Sequence, residues 1–263
     1  MLSQQLSREG GSGELLRKQS LTPVALITGG ARGIGRAIGV DLARAGWAVA
    51  FCYRTSVDAA EATRADIETA GARALAVRAD VSDPAAAAGL VRQVEAEWGR
   101  IDALINCAGP YHRVELLQET PEGWREMFEG NLHPVFYLSR AVAPGMVARK
   151  SGRILAFAMA TADQLTAQPN ITAHYIAKAG VLVLVRSLAR VLAPHGITVN
   201  AISPGFIDSG STPATELSAM RPRIPAGYVG ELRDAIAAAR FLLSDEARYV
   251  TGTNLHLSGG WGI

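Results

Sequence analysis

The sequence has few cysteines, no long apolar run and almost no excess of charge. Only Cys52 and Cys107 occur among 263 residues, too few for a disulfide framework or a cysteine-based metal site, so we expect reduced, buried thiols. The 26 basic and 24 acidic residues leave a net charge of +2 without a basic stripe, which argues against nucleic acid as a partner. The most apolar stretch, residues 181–185, is far shorter than the roughly 20 residues of a spanning helix. We therefore expect no membrane association.

The amino-terminal segment differs in composition from the rest of the chain. Residues 1–21 contain no apolar core of a secretion signal, and residues 9–13 read Glu-Gly-Gly-Ser-Gly. Hydrophobic residues make up 49% of the whole sequence and charged residues 19%, with a mean hydropathy of +0.14, which is typical of a globular protein. We predict a flexible extension over residues 1–21, one domain over residues 22–263, and a cytoplasmic location.

From Val24 onward, short apolar runs alternate with longer helical patterns, as in βαβ units. The predicted strands are Val24–Thr28, Ala48–Tyr53, Arg73–Ala79, Ile101–Asn106, Arg153–Met159, Ile197–Ser203 and Asn254–Leu257. The predicted helices are Gly33–Ala45, Val57–Ala70, Pro84–Trp98, Glu122–Arg149, Thr172–Leu192 and Glu231–Leu243. These elements predict a single-domain, Rossmann-like α/β fold, in which helices cover both faces of a doubly wound, parallel, seven-stranded sheet.

The run Val-Leu-Val-Leu-Val at residues 181–185 has the propensity of a strand but the context of a helix. Helical sequence extends on both sides for some twenty residues, which is too long for a strand. A helix that is apolar on nearly all sides must bury two faces. We therefore expect a homodimer or homotetramer formed through the helices Glu122–Arg149 and Thr172–Leu192.

A glycine-rich turn joins the first predicted strand to the first helix. Residues 28–35 read Thr-Gly-Gly-Ala-Arg-Gly-Ile-Gly. Glycines allow a tight turn and a close approach of the backbone to phosphate, while the free N–H groups of the new helix stabilise negative charge. The turn therefore predicts the pyrophosphate site of a dinucleotide.

The spacing Thr-Gly-x-x-x-Gly-x-Gly resembles the fingerprint of the short-chain dehydrogenase/reductase family, and in particular its 3-oxoacyl-acyl-carrier-protein-reductase-like members. Further matches follow in the family's order: Asp80-Val81, Asn106-Cys107-Ala108-Gly109, Pro204-Gly205, and glycine patterns at 250–252 and 259–260. The resemblance covers about residues 22–262. The cofactor-binding residues that it implies are Gly29, Arg32, Gly33, Ile34, Gly35, Arg54, Thr55, Asp80, Val81, Asn106, Ala108, Gly109, Lys178, Pro204, Gly205 and Ile207.

The end of the second strand indicates which nicotinamide cofactor is used. An acidic residue there would accept the ribose 2′-hydroxyl of NAD, but the strand ends Cys-Tyr-Arg-Thr-Ser. Arg54, the Thr55 hydroxyl and Arg32 in the glycine turn are suited to a 2′-phosphate. We therefore expect NADP(H).

The catalytic part of the resemblance is altered. The family uses a Tyr as proton donor and a Lys four residues later on the same helix face. Here Tyr175 precedes Lys178 by three, and His174 holds the place four before the lysine. At about 100° per residue, His174 lies about 40° from Lys178 and Tyr175 about 60° on the other side. Tyr175 is therefore expected to point away from the nicotinamide, and either His174 or a repositioned Tyr175 to donate the proton.

The family's catalytic Ser also has no clear counterpart. Alignment from residues 152–154 puts its place on Met159, which donates no hydrogen bond, whereas counting back from Lys178 leads to Thr161.

Asn131 matches the helix Asn of the family's proton relay. The remaining histidines, His112, His133, His195 and His256, are scattered without a paired carboxylate at ligand spacing, so we expect no metal. The segment 206–228 occupies the position of the family's substrate lid.

An intact cofactor half beside a rearranged proton-donor half predicts an NADPH-dependent oxidoreductase acting on a small organic substrate. Hydride would go either to an ordinary ketone or to an iminium, for instance one formed from a hemiaminal, in which no oxyanion must be stabilised. Two alternatives are a catalytically silent NADP(H)-binding regulatory or scaffolding protein and a lyase on the same fold. The presence of both Lys178 and Asn131 favours the enzyme.

Overall fold

The computed structural model describes residues 22–210 and 213–262, so the predicted extension 1–21 lies outside the described residues. The strands are β1 (Val24–Thr28), β2 (Ala48–Tyr53), β3 (Ala74–Arg78), β4 (Ala103–Asn106), β5 (Gly152–Phe157), β6 (Ile197–Pro204), β7 (Ile207–Asp208), β8 (Gly230–Glu231) and β9 (Asn254–Leu257). Seven of them form a parallel sheet in the order β3-β2-β1-β4-β5-β6-β9, and β7 and β8 form a separate two-stranded pair. The predicted fold class is confirmed.

The sheet is covered on both faces because its strands are apolar on both sides. Every residue of β1 is buried, with alternate residues contributing to two hydrophobic clusters, Val24 and Leu26 to one and Ala25 and Ile27 to the other. Near-continuous apolar strands are what a doubly covered parallel sheet requires. Strands β2 and β3 lie on one side of β1, and β4 and the strands after it lie on the other. The strand order therefore reverses between β1 and β4, and ligands of such sheets bind in the crevice at the carboxyl ends of these two strands.

The helices are α1 (Gly33–Arg44), α2 (Val57–Thr69), α3 (Pro84–Trp98), α4 (Pro121–Asn131), α5 (His133–Arg149), α6 (Thr172–Leu192), α7 (Ala214–Met220) and α8 (Leu232–Leu243). None of the helices in the described ranges is both long enough and apolar enough to span a membrane. Residues 181–185 are helical and lie within α6, as predicted.

The prediction of one helix over Glu122–Arg149 was wrong, because α4 ends at Asn131 and α5 begins at His133. Pro134 explains the break: it has no N–H to donate, and its ring would clash with the carbonyl of Gly130 in a continuous helix. The break places Asn131 at the end of α4, where its side chain turns towards the loop after β4.

The segment 206–228 contains elements that the sequence pattern did not predict. It includes β7, the short helix α7 and a 3-10 turn at Arg221–Arg223. Its first residues return over the glycine turn, since a Cβ added to Gly33 would lie 3.7 Å from Ser209 Cβ.

Candidate active site

The turn between β1 and α1 is a close approach of two backbones. Gly29 has φ +64°, and a Cβ there would lie 3.1 Å from the Cα of Ala108. A Cβ at Gly35 would lie 2.6 Å from the carbonyl oxygen of Gly29. Both positions therefore require glycine, and they leave a cradle at the amino end of α1 that fits the phosphates of a dinucleotide.

Thr28 fastens this turn to the loop after β4. Its Oγ1 accepts hydrogen bonds from the backbone N–H groups of Cys107 (3.1 Å) and Ala108 (3.0 Å). Asn106 is buried next to them and donates through Nδ2 to the Leu155 carbonyl, while its Oδ1 has no hydrogen-bond partner among the described residues. A buried amide with one free acceptor is a group available to a ligand.

A cavity of about 510 Å³ opens at the switch point between these loops. Many of the predicted cofactor-binding residues line it: Gly29, Arg32, Arg54, Thr55, Asp80, Val81, Ala108 and Gly109. Lining residues that the sequence did not indicate are Ala31, Cys52, Tyr53, Ser56, Ala79, Ser82, Pro110, Glu126, Glu129, Gly130 and Pro134. Of these residues, Glu126 and Glu129 are three apart on α4, but they belong to no sequence motif that would have identified them as part of the site.

The other predicted cofactor residues, including Asn106 and Lys178, are not among those that line this cavity. Gly33, Ile34 and Gly35 form the first turn of α1, and Pro204 ends β6. Gly205 donates its N–H to the Leu257 carbonyl at 2.9 Å, and Ile207 is buried at the start of β7.

Arg54 and Asp80 face each other across the outer part of the cavity. The Arg54 Nη1 is 3.9 Å from the Asp80 carboxylate, and both side chains are exposed to solvent. The hydrogen bond that Ser82 donates to Asp80, together with the nearby Arg54 charge, lowers the pKa of the carboxyl group. Asp80 is therefore ionised, and its partner guanidinium remains open to a second anion.

Lys178 and Asn131 meet at the inner end of the loop after β4. Lys178 is buried and donates from Nζ to the Phe157 carbonyl at 2.8 Å, and desolvation lowers its pKa to about 8. Asn131 donates to the carbonyls of Pro110 (3.0 Å) and Met127 (2.9 Å). A Cβ on Gly109 would overlap Asn131 Oδ1 and lie 3.6 Å from Lys178 Nζ. Gly109 thus leaves room for both polar groups to face the cleft.

His174 lies beside Lys178 and is kept neutral. The ring is 8% exposed, packs edge-on against Tyr111 with centroids 5.1 Å apart, and its Nδ1 has no hydrogen-bond partner within the part of the chain described. Burial, followed by the positive charges of Lys178 and His112, lowers its pKa from 6.5 to about 4. At neutral pH, His174 is therefore an uncharged imidazole with one free nitrogen.

This burial makes the protein less stable in acid. Between pH 6.5 and pH 4 the unfolded chain binds a proton at His174 that the folded chain excludes, so the free energy of unfolding should fall by up to about 3 kcal/mol as the pH is lowered through that range. The contribution is complete above pH 6.5. Denaturant titrations of wild type and His174→Gln at several pH values measure the difference, and parallel curves for the two proteins would contradict this prediction.

Tyr175 is turned away from this cluster, as its angular position on the helix indicated. Its hydroxyl donates to the Thr161 carbonyl at 2.7 Å and accepts from the Thr166 N–H at 3.1 Å. The ring is buried. The predicted alternative of Tyr175 as proton donor is therefore not favoured, because both sides of the hydroxyl are occupied by the loop after β5.

Replacing Tyr175 with phenylalanine should consequently affect stability more than chemistry. The change leaves the Thr166 N–H and the Thr161 carbonyl without these partners, which should cost about 1–3 kcal/mol of unfolding free energy. Turnover should stay within about tenfold of wild type, whereas loss of a general acid would lower it about 10²–10⁴-fold. Denaturation and steady-state kinetics on the same preparation separate the two outcomes.

Thr161 and Met159, the two candidates for the place of the missing Ser, both follow β5. Thr161 has φ +73°, is buried, and its Oγ1 lacks a hydrogen-bond partner in the described ranges. Met159 packs against the hydrophobic core. A hydroxyl without a hydrogen-bond partner is the better candidate to bind a ligand. Thr161 therefore stays the predicted counterpart of the family's Ser, and Met159 is a packing residue.

Two histidines have a carboxylate partner in space, although neither has one at ligand spacing in the sequence. His112 Nε2 lies 2.6 Å from Glu119 Oε2, and His256 Nε2 lies 2.8 Å from Asp163 Oδ2. These pairs form across seven and 93 residues of sequence, so no short spacing pattern could predict them. The described residues contain no group of three or more His, Cys, Asp or Glu side chains suited to hold a metal ion.

The fold and this site together define an oxidoreductase that uses a nicotinamide cofactor. Residues 29–262 match the protein family described as enoyl-(acyl carrier protein) reductase. The chain is 36% identical over 243 residues to the 3-oxoacyl-(acyl-carrier-protein) reductase FabG of Staphylococcus aureus, covering 91% of this chain and 98% of the relative. It is 37% identical over 241 residues to FabG of Escherichia coli, covering 90% and 96%. A crystal structure of a short-chain type dehydrogenase/reductase from Mycobacterium marinum is similar with a TM-score of 0.84 and 31% identity, covering 91% of this chain and 95% of that one. The chain belongs to the short-chain dehydrogenase/reductase family.

Proposed function

We propose that this protein is an NADPH-dependent reductase that reduces a C=O or C=N carbon of a small organic substrate through an atypical proton-donor site. The observation that carries the proposal lies on α6: the Tyr175 hydroxyl is hydrogen-bonded to backbone, while Nδ1 of the buried His174 has no hydrogen-bond partner among the described residues. The relatives named 3-oxoacyl-(acyl-carrier-protein) reductase support reduction as the reaction class. A silent scaffold would not need a buried lysine beside a buried histidine whose Nδ1 has no hydrogen-bond partner among the described residues.

The phosphorylated cofactor is supported by the charges around the cavity. Arg32, Arg54 and the Thr55 hydroxyl line its outer part, and Asp80, the nearest carboxylate to Arg54, is 3.9 Å from it. Arg54→Gln should weaken NADPH binding about tenfold and leave NADH binding unchanged, since a charged contact to the 2′-phosphate contributes about 1.5 kcal/mol. Arg92→Gln, an exposed change on α3 outside the cavity, is the matched control. Equal losses for both cofactors would argue against a 2′-phosphate at Arg54.

The nicotinamide cofactor supplies a hydride to the acceptor carbon when it is bound. With the cofactor bound, Lys178 would hold its ribose end and Asn131 would hold the water of a proton relay. A neutral His174 offers a hydrogen-bond acceptor or a weak N–H donor, not a ready proton. This arrangement suits a protonated C=N bond, whose N–H donates to the imidazole and whose carbon is already activated.

Matched ketone and cyclic-imine substrates with NADPH deuterated at C4 test the proposal. We expect NADPH consumption together with deuterium at the acceptor carbon of the product, and faster turnover of the imines. Turnover of ketones alone would remove the C=N arm. NADPH binding without consumption of cofactor across the panel would remove the reductase and favour the scaffolding alternative.

Self-association and a cytoplasmic location remain proposals. Phe136 on α5 is 45% exposed and Val183 on α6 is 63% exposed, as expected for helix faces that pack against a second copy. Sedimentation of the purified protein would test for a dimer or tetramer.

A further inference from the structure

His112, in the loop after β4, has a carboxylate partner and lies near His174. The His112 side chain is 27% exposed and that of Glu119 is 10% exposed, and His112 Nε2 is 2.6 Å from Glu119 Oε2. The ring is close enough to His174 for its charge to act on that residue. Its neighbour in sequence, Tyr111, packs on the His174 ring at 5.1 Å. The pair therefore lies near His174, at the start of α6.

The loop that carries His112 is fixed over the start of α6. The N–H groups of Val114 and Leu116 donate to the carbonyls of Asn170 and Pro169, at 2.9 and 2.8 Å. These bonds hold the loop against the chain immediately before α6. The position of His112 relative to His174 is thus built into the backbone.

Gly123 on α4 makes room for the pair. A Cβ at this position would lie 2.5 Å from Glu119 Oε1 and 3.1 Å from His112 Cε1. Glycine is unfavourable in a helix, and here an added Cβ would displace the Glu119 carboxylate from its present position.

We propose that His112, positioned by Glu119, delivers the proton to the oxygen of the acceptor, a task that the family's tyrosine position no longer performs here. The inference rests on the proposed reductase function. For a ketone, the carbon gains the hydride that the reduced cofactor supplies, the C=O electron pair moves to oxygen, and oxygen takes a proton from the His112 imidazolium. For a hemiaminal, the same proton leaves with the hydroxyl as water, and hydride then adds to the iminium carbon. His112 regains its proton from solvent, to which its ring is partly exposed.

The mechanism assigns different tasks to the two histidines. His174 is buried and uncharged, so it is suited to orient the acceptor by a hydrogen bond. His112 has a carboxylate at one nitrogen and access to water, which is the arrangement of a positioned general acid. An acceptor without oxygen, such as a preformed N-alkyl iminium, needs no proton for hydride addition and should not depend on His112.

The test compares His112→Asn with wild type on two acceptors, one bearing oxygen and one a preformed N-alkyl iminium. We expect kcat on the oxygen-bearing acceptor to fall about 10²-fold or more, kcat on the iminium to stay within about threefold, and the NADPH dissociation constant from a fluorescence titration to stay unchanged. His195→Gln, on the turn after α6, is the matched control. Equal kcat values for His112→Asn and wild type on the oxygen-bearing acceptor, or equal losses on both acceptors, would overturn the inference.

Two further variants test the positioning role of Glu119. Glu119→Gln and Gly123→Ala should each lower kcat on the oxygen-bearing acceptor about tenfold without changing KM, because they weaken or displace the carboxylate while keeping the histidine. Added imidazole should restore part of the activity of His112→Ala, and absence of rescue together with unchanged activity in Glu119→Gln would count against the pair. A wild type that turns over no acceptor would instead overturn the reductase function itself.

Discussion

Replacement of Lys178 by methionine should lower kcat/KM by about 10³-fold. The ammonium group is buried beside the cleft, donates to the Phe157 carbonyl, and faces the space that Gly109 leaves open. A preorganised charge in such a water-poor site contributes more than in water, and removal of one comparable group typically costs 10²–10³-fold or more. Steady-state kinetics with NADPH and the best acceptor of the panel measure the loss.

The Lys178→Met variant should still fold. Desolvation disfavours the charged form of the buried Lys178 side chain and lowers its pKa to about 8. An apolar side chain of similar length avoids this cost, so the variant should keep or raise the free energy of unfolding. Loss of activity with an unchanged unfolding transition therefore identifies a functional role. Activity within tenfold of wild type would show that Lys178 is a structural residue of α6.

Gly35→Val should abolish NADPH binding, with a loss of at least about 10²-fold in affinity. The new Cβ would lie 2.6 Å from the Gly29 carbonyl oxygen and 3.1 Å from its carbon. These are backbone atoms, so no side-chain rotation relieves the overlap, and the turn must open where the phosphates are expected. A factor of 10² corresponds to about 2.7 kcal/mol of binding energy.

Gly89→Ala is the matched control for that change. Gly89 lies inside α3, and the nearest atom to an added Cβ is the Arg92 side chain at 3.7 Å. Alanine favours a helix interior over glycine by about 1 kcal/mol, so this variant should be at least as stable as wild type and bind NADPH normally. Normal affinity in Gly35→Val would show that the turn does not hold the pyrophosphate.

The sheet was predictable because each strand is a short apolar run. Such a run must be buried on both faces, and a parallel sheet covered by helices on both sides provides that burial. β1, β2 and β9 agree with the sequence to the residue, and the others differ at their ends by one or two residues. The prediction of a single helix over residues 122–149 failed because it followed the apolar pattern, which continues across Pro134. Proline lacks the N–H that a continuous helix would need at that position. The short elements between residues 206 and 228 have too few residues for any period to be recognised.

The site was predictable where it depends on the local backbone and not where it depends on distant side chains. The glycine turn, Arg54 and Asp80 follow directly from their strands. The angle between His174 and Tyr175 on one helix predicts that the tyrosine points away from the nicotinamide, but the partners of its hydroxyl, Thr161 and Thr166, belong to another loop. Glu119 contacts His112 because the loop between them folds back towards α4. The spacing of apolar residues in the sequence gives no sign of such a fold.

The most direct test of the proposed cofactor site is a calorimetric titration of the purified wild-type protein with NADPH and, separately, NADH. We predict one NADPH site per chain in the micromolar range or tighter, and binding of NADH at least about tenfold weaker because the charged contact to the 2′-phosphate is missing. No heat of binding with either cofactor, in a protein that unfolds cooperatively, would contradict the assignment of the switch-point cavity.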